Sequence, residues 1–236
     1  MFDDNRKSYG ARRISRELKK RRICCSRVRI ARLMRKLGLI PKRRRRFRIT
    51  TDSKHGFETY PDLLGRNFTV EQPNQVWVSD ITYIWTDEGW LFLASVINLY
   101  SRKVVGWSMS KTLKATIAVD ALKMAIAARR PSPGLIHHSD RGVQYACGKY
   151  QDVIKQAKML PSMSRKGDCW DNSVAESFFS TLKKELVYHT RFETRDQARR
   201  EIFEFVECFY NRRRMHSYLG YMSPHDFEEK CVAKAT

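Results

Sequence analysis

Apolar residues follow two different patterns along the chain. Near the N-terminus they recur at helical spacing, which predicts one helix over 9–21 and a second over 26–37. Ser26 is the expected N-cap of the second helix, and Gly38 is expected to end it in the left-handed conformation. Two short helices joined by a tight turn predict a helix-turn-helix, although a basic helical pair can also be a solvated packing unit.

From Gln75 onward the pattern changes to short strands that alternate with helices. The strand segments are rich in Val, Ile, Trp and Tyr and are separated by turn residues. The predicted strands are 76–84, 90–99, 103–110, 134–139 and 160–164, and the predicted helices are 115–129, 149–158, 173–187 and 195–213. This order predicts an α/β fold of the ribonuclease H-like class, a mixed five-stranded sheet with helices on both faces.

These patterns divide the chain into four segments. We predict a small basic helix-turn-helix segment over 1–40, a basic linker over 41–75, a ribonuclease H-like core over 76–190, and C-terminal helices with a DNA-contacting loop over 191–236. The linker contains prolines, glycines and a run of arginines, without sustained periodicity. It either follows the phosphates of bound nucleic acid or is a disordered basic tail.

The charge is concentrated at the N-terminus. The chain has 46 Lys and Arg against 25 Asp and Glu, a net charge of +21, and residues 1–50 alone carry a net charge of +17. This concentration of positive charge indicates a polyanionic partner. Nucleic acid is the first candidate, and an anionic membrane is the alternative. The sequence has no run of 18 apolar residues and no secretory signal. Its six cysteines form no C-x-x-C pair, so we predict a cytoplasmic, nucleoid-associated protein.

Basic side chains in the helix pair, the linker, the predicted core and the C-terminal loop are the candidate DNA contacts. They are Arg27, Arg29, Arg32, Lys42, Arg43, Arg44, Arg45, Arg46, Arg141, Arg165, Lys166, Lys183, Arg212, Arg213, Arg214 and His216. The last four lie in the loop 210–224, which either grips DNA or is a structural turn that anchors the last helix. Ser223 and Pro224 are expected to start that helix as its N-cap and first residue.

Three acidic residues far apart in the chain are candidates for catalysis. Asp80 lies on an apolar face of the first strand, Asp140 follows the fourth strand, and Glu176 is inside a late helix. Each has an ordinary alternative: an Asp facing water, a turn-forming Asp and a solvated helical Glu. Their joint arrangement is more informative, because the predicted fold brings these three elements together at one edge. Asp168 and Asp171 compete with Glu176 for the third position.

The three acids offer only oxygen ligands, without a nearby set of Cys and His. This donor set favours Mg²⁺ or Mn²⁺ over zinc, and two such ions can stabilise an in-line phosphoryl displacement. His137 and His138 are alternative ligands, but packing within the strand or a DNA contact is the preferred interpretation.

Four stretches of sequence resemble a known protein family. They are SYGARRI…RVRIARLMRKLGL, HHSDRGVQY, SMSRKGDCWDNSVAESFFSTLKKEL and YNRRRMHSYLGYMSP, with 35 residues between Asp140 and Glu176. Together they resemble the bacterial transposases of the third insertion-sequence family, OrfB type, within the DDE transposase and retroviral integrase superfamily. The resemblance covers nearly the whole chain.

The resemblance implies a catalytic triad of Asp80, Asp140 and Glu176 that binds two Mg²⁺ or Mn²⁺ ions. Lys183, seven residues beyond the glutamate, is implied to contact DNA near the scissile bond. The implied reaction is metal-dependent 3′-end cleavage and strand transfer of an insertion sequence, by copy-out, paste-in movement through a circular intermediate. Two alternatives remain: a metal nuclease of the same fold, and a non-catalytic DNA-binding regulator with a defunct core.

The resemblance also implies partners. They are double-stranded DNA, as terminal inverted repeats and as target, a second copy of the chain on DNA in a homodimer or higher assembly, and an upstream OrfA-type protein or fusion segment. OrfB-type chains usually begin further upstream, and the OrfA segment carries its own helix-turn-helix and a leucine zipper. Recognition of the element ends and dimerisation by this chain alone therefore stay open at this point.

Overall fold

A computed structural model describes residues 1–42, 59–165 and 169–235 of the protein. The strands are β1 (Val76–Thr86), β2 (Gly89–Asn98), β3 (Val104–Ser110), β4 (Ile136–Ser139) and β5 (Leu160–Met163). The helices are α1 (Ala11–Lys20), α2 (Arg27–Lys36), α3 (Thr116–Arg129), α4 (Val143–Ala146), α5 (Gly148–Gln156), α6 (Ser173–Glu185), α7 (Arg195–Phe203) and α8 (Pro224–Ala235). None of the described helices is long and apolar enough to cross a membrane.

The five strands form one mixed sheet in the order β3-β2-β1-β4-β5. β1, β2 and β3 pair antiparallel, whereas β4 runs parallel to β1 and β5 parallel to β4. The predicted mixed five-stranded sheet is therefore confirmed. Val78 of β1 lies opposite His138 of β4. Asp80 and Asp140 each follow this pair by two residues, so both come shortly after the paired parts of these neighbouring parallel strands.

The two faces of β1 are buried against different helices. Val76, Val78 and Ile84 belong to a core cluster that also contains buried residues of α6 and α7. Trp77, on the other face, is fully buried in a second cluster with residues of α3 and α5. Because strand side chains alternate between faces, the central strand carries apolar residues on both sides and the helices cover both.

Several predicted helix boundaries were wrong. The helix predicted over 173–187 ends at Glu185, where Leu186 leaves helical backbone angles, and a 3-10 turn follows at Val187–His189. The helix predicted over 195–213 is α-helical to Phe203 and continues as a π-helical segment, Glu204–Tyr210. The four-residue helix α4 was missed, because one helical turn is too short to show a period.

The N-terminal helices form the predicted pair. Ser26 caps α2 by accepting a hydrogen bond from the Arg29 backbone N–H at 3.2 Å, and Gly38 has a φ of 65°. Tyr9 is fully buried in a third apolar cluster with Met215. Its hydroxyl accepts a hydrogen bond from the Met215 backbone N–H at 2.8 Å, so the helix pair packs on the C-terminal loop.

The C-terminal residues are part of the main core. Phe192, Ala198, Phe205 and Tyr210 are buried in the same cluster as β1 and β2. The predicted division between 76–190 and 191–236 therefore does not coincide with a division of the core.

Gly106 of β3 gives a direct test of how closely α3 packs on the sheet. A Cβ atom at this position would lie 2.2 Å from the backbone oxygen of Ala121 in α3. We expect Gly106→Ala to lower the free energy of unfolding by about 3 kcal/mol, measured in urea, since the backbone of α3 must shift. Gly148→Ala is the matched control, because a Cβ atom there has no neighbour within 4 Å among the described residues. If Gly106→Ala left the free energy of unfolding unchanged, this close packing of α3 on β3 would be contradicted.

Candidate active site

Two of the predicted acids are each held by a hydrogen bond from a nearby backbone N–H group. Asp80 lies in β1, and its carboxylate accepts a hydrogen bond from the backbone N–H of Ile81 at 2.7 Å. Asp140 follows β4, and its Oδ1 accepts the backbone N–H of Gly142 at 2.9 Å. A Cβ atom at Gly142 would lie 2.9 Å from that same oxygen, so glycine leaves the room that this turn needs.

Glu176 is brought to the same place by the way α6 begins. It lies in the first turn of α6. Just before the helix, the side-chain amide of Asn172 donates to the backbone oxygen of Ser79 at 2.9 Å, which ties the start of α6 to β1 beside Asp80. Ala175 and Phe178 are buried in the core and set the rotation of the helix. α6 thus contacts β1 at the residue that precedes Asp80.

The electrostatics show that the acids and Lys183 lie together. Burial raises the pKa of Asp80 well above its usual value, and the charge of Asp140 adds to this effect. The charge of Glu176 raises the same pKa further, whereas Lys183 lowers it. Burial also raises the pKa of Glu176 and lowers that of Lys183, which Asp80 partly offsets. Because such effects fall off with distance, the charges of Asp140, Glu176 and Lys183 lie near Asp80.

The donor set of this site fits a divalent cation. Asp80, Asp140 and Glu176 supply oxygen only, and Mg²⁺ and Mn²⁺ prefer oxygen ligands. Among the described residues, no three Asp, Glu, His or Cys side chains are already close enough to hold a metal ion.

Asp171, a predicted competitor of Glu176, has a different role. Its buried carboxylate accepts hydrogen bonds from Arg66 Nε at 2.8 Å and from Arg165 Nε at 3.1 Å, and these arginines hold its pKa far below the usual range. The ion pairs join residues before β1 to the turn before α6 and so position Glu176 indirectly. Asp168, the other competitor, lies outside the described residues.

The two histidines of β4 are buried. His137 Nε2 lies 3.0 Å from Ser79 Oγ and 3.1 Å from the Tyr150 hydroxyl. The His138 ring nitrogens lie 2.8 Å from Ser162 Oγ and 3.1 Å from Ser164 Oγ. The predicted packing role is therefore confirmed, and neither ring is exposed to DNA.

Burial of His137 predicts a loss of stability in mild acid. Burial lowers the pKa of His137 to about 3 from 6.5, so between these values the unfolded chain binds a proton that the folded chain does not. The contribution of neutral His137 to the free energy of unfolding is therefore present above about pH 6.5 and is lost as the pH falls below that value. Between about pH 7.5 and 5.5 we expect His137 to contribute a loss of about 1.4 kcal/mol, measured by urea unfolding. His137→Gln removes this share, whereas exposed His189→Gln keeps it; equal pH dependence in both variants would contradict the assignment.

Apart from Lys183, Arg214 and His216, the predicted DNA contacts fall into three groups. Arg27, Arg29 and Arg32 of α2 are exposed, as are Arg212 and Arg213. A second group makes hydrogen bonds within the protein: Lys42 Nζ to the Glu185 backbone oxygen at 2.7 Å, Arg141 Nε to the Ser164 backbone oxygen at 2.7 Å, and Arg165 to Asp171. The third group, Arg43, Arg44, Arg45, Arg46 and Lys166, lies outside the described residues.

The prediction that Arg214 contacts DNA needs correction. Arg214 is only 6% exposed, and its guanidinium donates to both carboxylate oxygens of Glu185, at 2.8 Å and 3.0 Å for the shortest bonds. The structure therefore assigns it to a buried ion pair, because a charge in the interior needs a paired partner.

His216 likewise anchors the C-terminal loop. Its backbone pairs with Met222 in an isolated β-bridge, and its ring meets the Tyr210 ring edge-on with centroids 4.8 Å apart. Burial holds the pKa of His216 well below its usual value. The alternative of a structural turn is thus the better description of this residue, and the Ser223 hydroxyl caps α8 as predicted.

Two positioning residues were missed. Asn172 reaches Ser79 across 93 residues of sequence, and Arg66 reaches Asp171 across 105. Neither contact leaves a local signal, because it depends on the fold that brings distant segments together. The separate polar residues therefore have no periodicity or motif of their own that would identify them.

Family models and relatives agree with this architecture. An HTH-like domain model matches residues 1–47, and two integrase core domain models match 70–169 and 176–232. An insertion element IS600 protein of 31 kDa from Shigella sonnei is 46% identical and aligns over 95% of this chain and 83% of its own. The transposase InsF for insertion sequence IS3A from Escherichia coli is 42% identical over 98% of this chain and 81% of its own.

Solved structures show the same fold at low sequence identity. The structure of a simian T-cell lymphotropic virus intasome in complex with PP2A regulatory subunit B56 gamma aligns with a TM-score of 0.55 at 15% identity, over 75% of this chain and 60% of that one. The HTLV-2 integrase catalytic core domain in complex with magnesium aligns with a TM-score of 0.50 at 14% identity, over 66% of this chain and 97% of that one. From its relatives and its integrase-like core we conclude that the chain belongs to the IS3 family of insertion-sequence transposases, which are DDE polynucleotidyl transferases.

Proposed function

We propose that this transposase uses Asp80, Asp140 and Glu176 to cleave the 3′ ends of its element and to join them to target DNA. The observation that carries the proposal is the β1–β4 register, in which Val78 lies opposite His138, so that Asp80 and Asp140 each follow this pair by two residues. The charge effects of Asp140, Glu176 and Lys183 on Asp80 support the same grouping. Acids from two strands and a helix form a site that no single local motif would create.

In this proposal the three carboxylates would hold two Mg²⁺ or Mn²⁺ ions. Such ions neutralise charge on the scissile phosphodiester and favour the deprotonated form of the attacking hydroxyl. The backbone N–H groups of Ile81 and Gly142 would orient Asp80 and Asp140 before DNA arrives, so little reorganisation of these side chains would be needed.

Lys183 would bind a DNA phosphate beside the acids. It is half-buried on α6, two turns beyond Glu176, and its charge acts on Asp80. Exposed arginines of α2 and the exposed pair Arg212 and Arg213 would extend the phosphate contacts away from the site. Such contacts neutralise phosphates and release counterions, so binding should weaken steeply with salt.

The assembly and its location follow from the same proposal. The substrates would be the terminal inverted repeats and a target duplex, bound in the bacterial cytoplasm in association with the nucleoid. Two DNA ends must be brought together for joint transfer, which favours a homodimer or higher assembly on DNA, with an OrfA-type protein or fusion segment as a further partner.

A product-resolved assay tests this function. The full chain is incubated with labelled end DNA and target plasmid, with Mg²⁺ and with EDTA, and the products are separated by length. We expect Mg²⁺-dependent 3′ cleavage and joined products. Cleavage without joining would identify a metal nuclease, and binding without turnover would identify a DNA-binding regulator; either result would contradict the proposal.

A further inference from the structure

Four aromatic side chains form a continuous stripe on the β1–β2 hairpin. Tyr83 lies directly opposite Phe92, and Trp85 directly opposite Trp90, so all four occupy one face of the sheet. The Trp85 and Trp90 rings meet edge to face with centroids 4.9 Å apart, and the Tyr83 and Phe92 rings do so at 5.1 Å. We call these four residues the aromatic stripe.

The aromatic stripe becomes more exposed toward the tip of the hairpin. Phe92 packs against the apolar cluster under α3, and Tyr83 is half-buried. Trp85 is 56% exposed and Trp90 is 48% exposed. Two adjacent tryptophans at this exposure leave a large apolar surface in water, which indicates a binding role more often than an isolated surface aromatic does. Edge-to-face contact also leaves ring faces open for a further planar group.

The stripe adjoins the active site. Tyr83 follows Asp80 by three residues, so strand alternation places their side chains on opposite faces of β1, about 10 Å apart along the strand. The described pairing of β1 with β4 stops at Val78, so both residues lie where this edge of β1 is not paired with β4. Burial, and then the charges of Asp140 and Asp80, raise the pKa of the Tyr83 phenol, so both carboxylates lie near that ring. On the other side, Phe92 is paired with Ser110, and exposed Lys111 follows it. A strand of DNA that passes from the acids over this edge of β1 would therefore meet an aromatic surface and a positive charge.

We infer that the aromatic stripe binds an unpaired nucleobase of the DNA strand held at the active site. The inference rests on the proposed function for its substrate and adds a base-binding subsite to it. A base within a duplex is covered by its neighbours on both sides, whereas an unpaired base has an open face that an exposed indole can stack on. Stacking accepts any base, so the subsite would recognise loss of pairing rather than sequence.

The test compares two DNA probes in EDTA, where only binding is measured. One is a blunt duplex, and the other is the same duplex with a short 5′ overhang that carries 2-aminopurine, whose fluorescence falls on stacking. We expect the full chain to bind the overhang probe about tenfold more tightly than the blunt one and to quench it. The double variant Trp85→Ala/Trp90→Ala should lose both the preference and the quenching.

Matched variants separate stacking from other effects. Trp85→Phe should retain quenching, because a ring face remains. Phe203→Ala removes an aromatic side chain of similar exposure, 50%, from α7 and should change neither readout. Thermal unfolding confirms that each variant is folded. An unchanged overhang preference in the double variant would overturn the inference. A change in the oligomeric state of this variant with DNA binding unchanged would also overturn it, because it would identify the aromatic stripe as a subunit interface.

This design distinguishes the inference from the proposed function. Binding in EDTA does not require the acids to be catalytic, so the overhang preference can be present in a chain that fails to join DNA. Conversely, normal joining of blunt ends with no overhang preference would leave the proposed function intact and remove only the base-binding subsite.

Discussion

Replacing Asp80 by asparagine is expected to lower strand cleavage and joining by about a thousandfold or more. The substitution keeps the size of the side chain but removes the charge that would hold a divalent ion, and an ion contributes several kcal/mol to such a transition state. DNA binding should be retained, because the loss of one negative charge does not weaken attraction to phosphates. The rate of 3′ cleavage and the affinity for end DNA, measured on the same protein, check both parts.

A carboxylate elsewhere on the surface provides the control. Asp120 is exposed on α3, away from β1 and α6, and Asp120→Asn should cleave and join DNA at the normal rate. Asp140→Asn and Glu176→Gln should behave like Asp80→Asn if the three acids act together. Substantial cleavage by Asp80→Asn would contradict the assignment of the triad.

The largest effect on stability is expected at Arg214. Arg214→Met leaves Glu185 buried without its partner, and breaking a buried ion pair costs about 4 kcal/mol. Arg13 Nη1 lies 3.9 Å from Glu185 Oε1, which is too far to replace the bidentate contact of Arg214, so the loss should not be compensated. Urea unfolding at constant pH measures the change.

Two further variants make this prediction specific. Arg213→Ala, next in sequence but exposed, should leave the free energy of unfolding within about 0.5 kcal/mol of its original value. The double variant Glu185→Gln/Arg214→Met removes the buried charge as well and should recover part of the loss. If Arg213→Ala and Arg214→Met were equally stable, Arg214 would not be part of a buried pair.

The sequence was sufficient to predict the sheet and to single out the three acids as candidates, because both leave regular signals. Strand alternation places Asp80 on the face of Val78, and a short apolar strand ends just before Asp140. The helical period of α6 places Lys183 near the face of Glu176. These relations are local, so residue order alone carries them.

The buried ion pair could not be predicted in the same way. Glu185 looks like an ordinary solvated helical residue, and Arg214 lies within a run of three arginines in a loop. Only the docking of that loop on the end of α6 buries both, across 29 residues of sequence. The π-helical segment Glu204–Tyr210 was missed for a related reason, since its apolar residues fit an α-helical period equally well.

The position of bound Mn²⁺ is the strongest test of whether Asp80, Asp140 and Glu176 together hold divalent ions against DNA. Crystals of the full chain with an element-end duplex are grown in Mn²⁺, whose anomalous scattering locates the ions without reference to activity. We expect two Mn²⁺ sites among the carboxylates of Asp80, Asp140 and Glu176, next to a phosphodiester. Mn²⁺ bound elsewhere, with these three side chains turned away from the DNA, would contradict it.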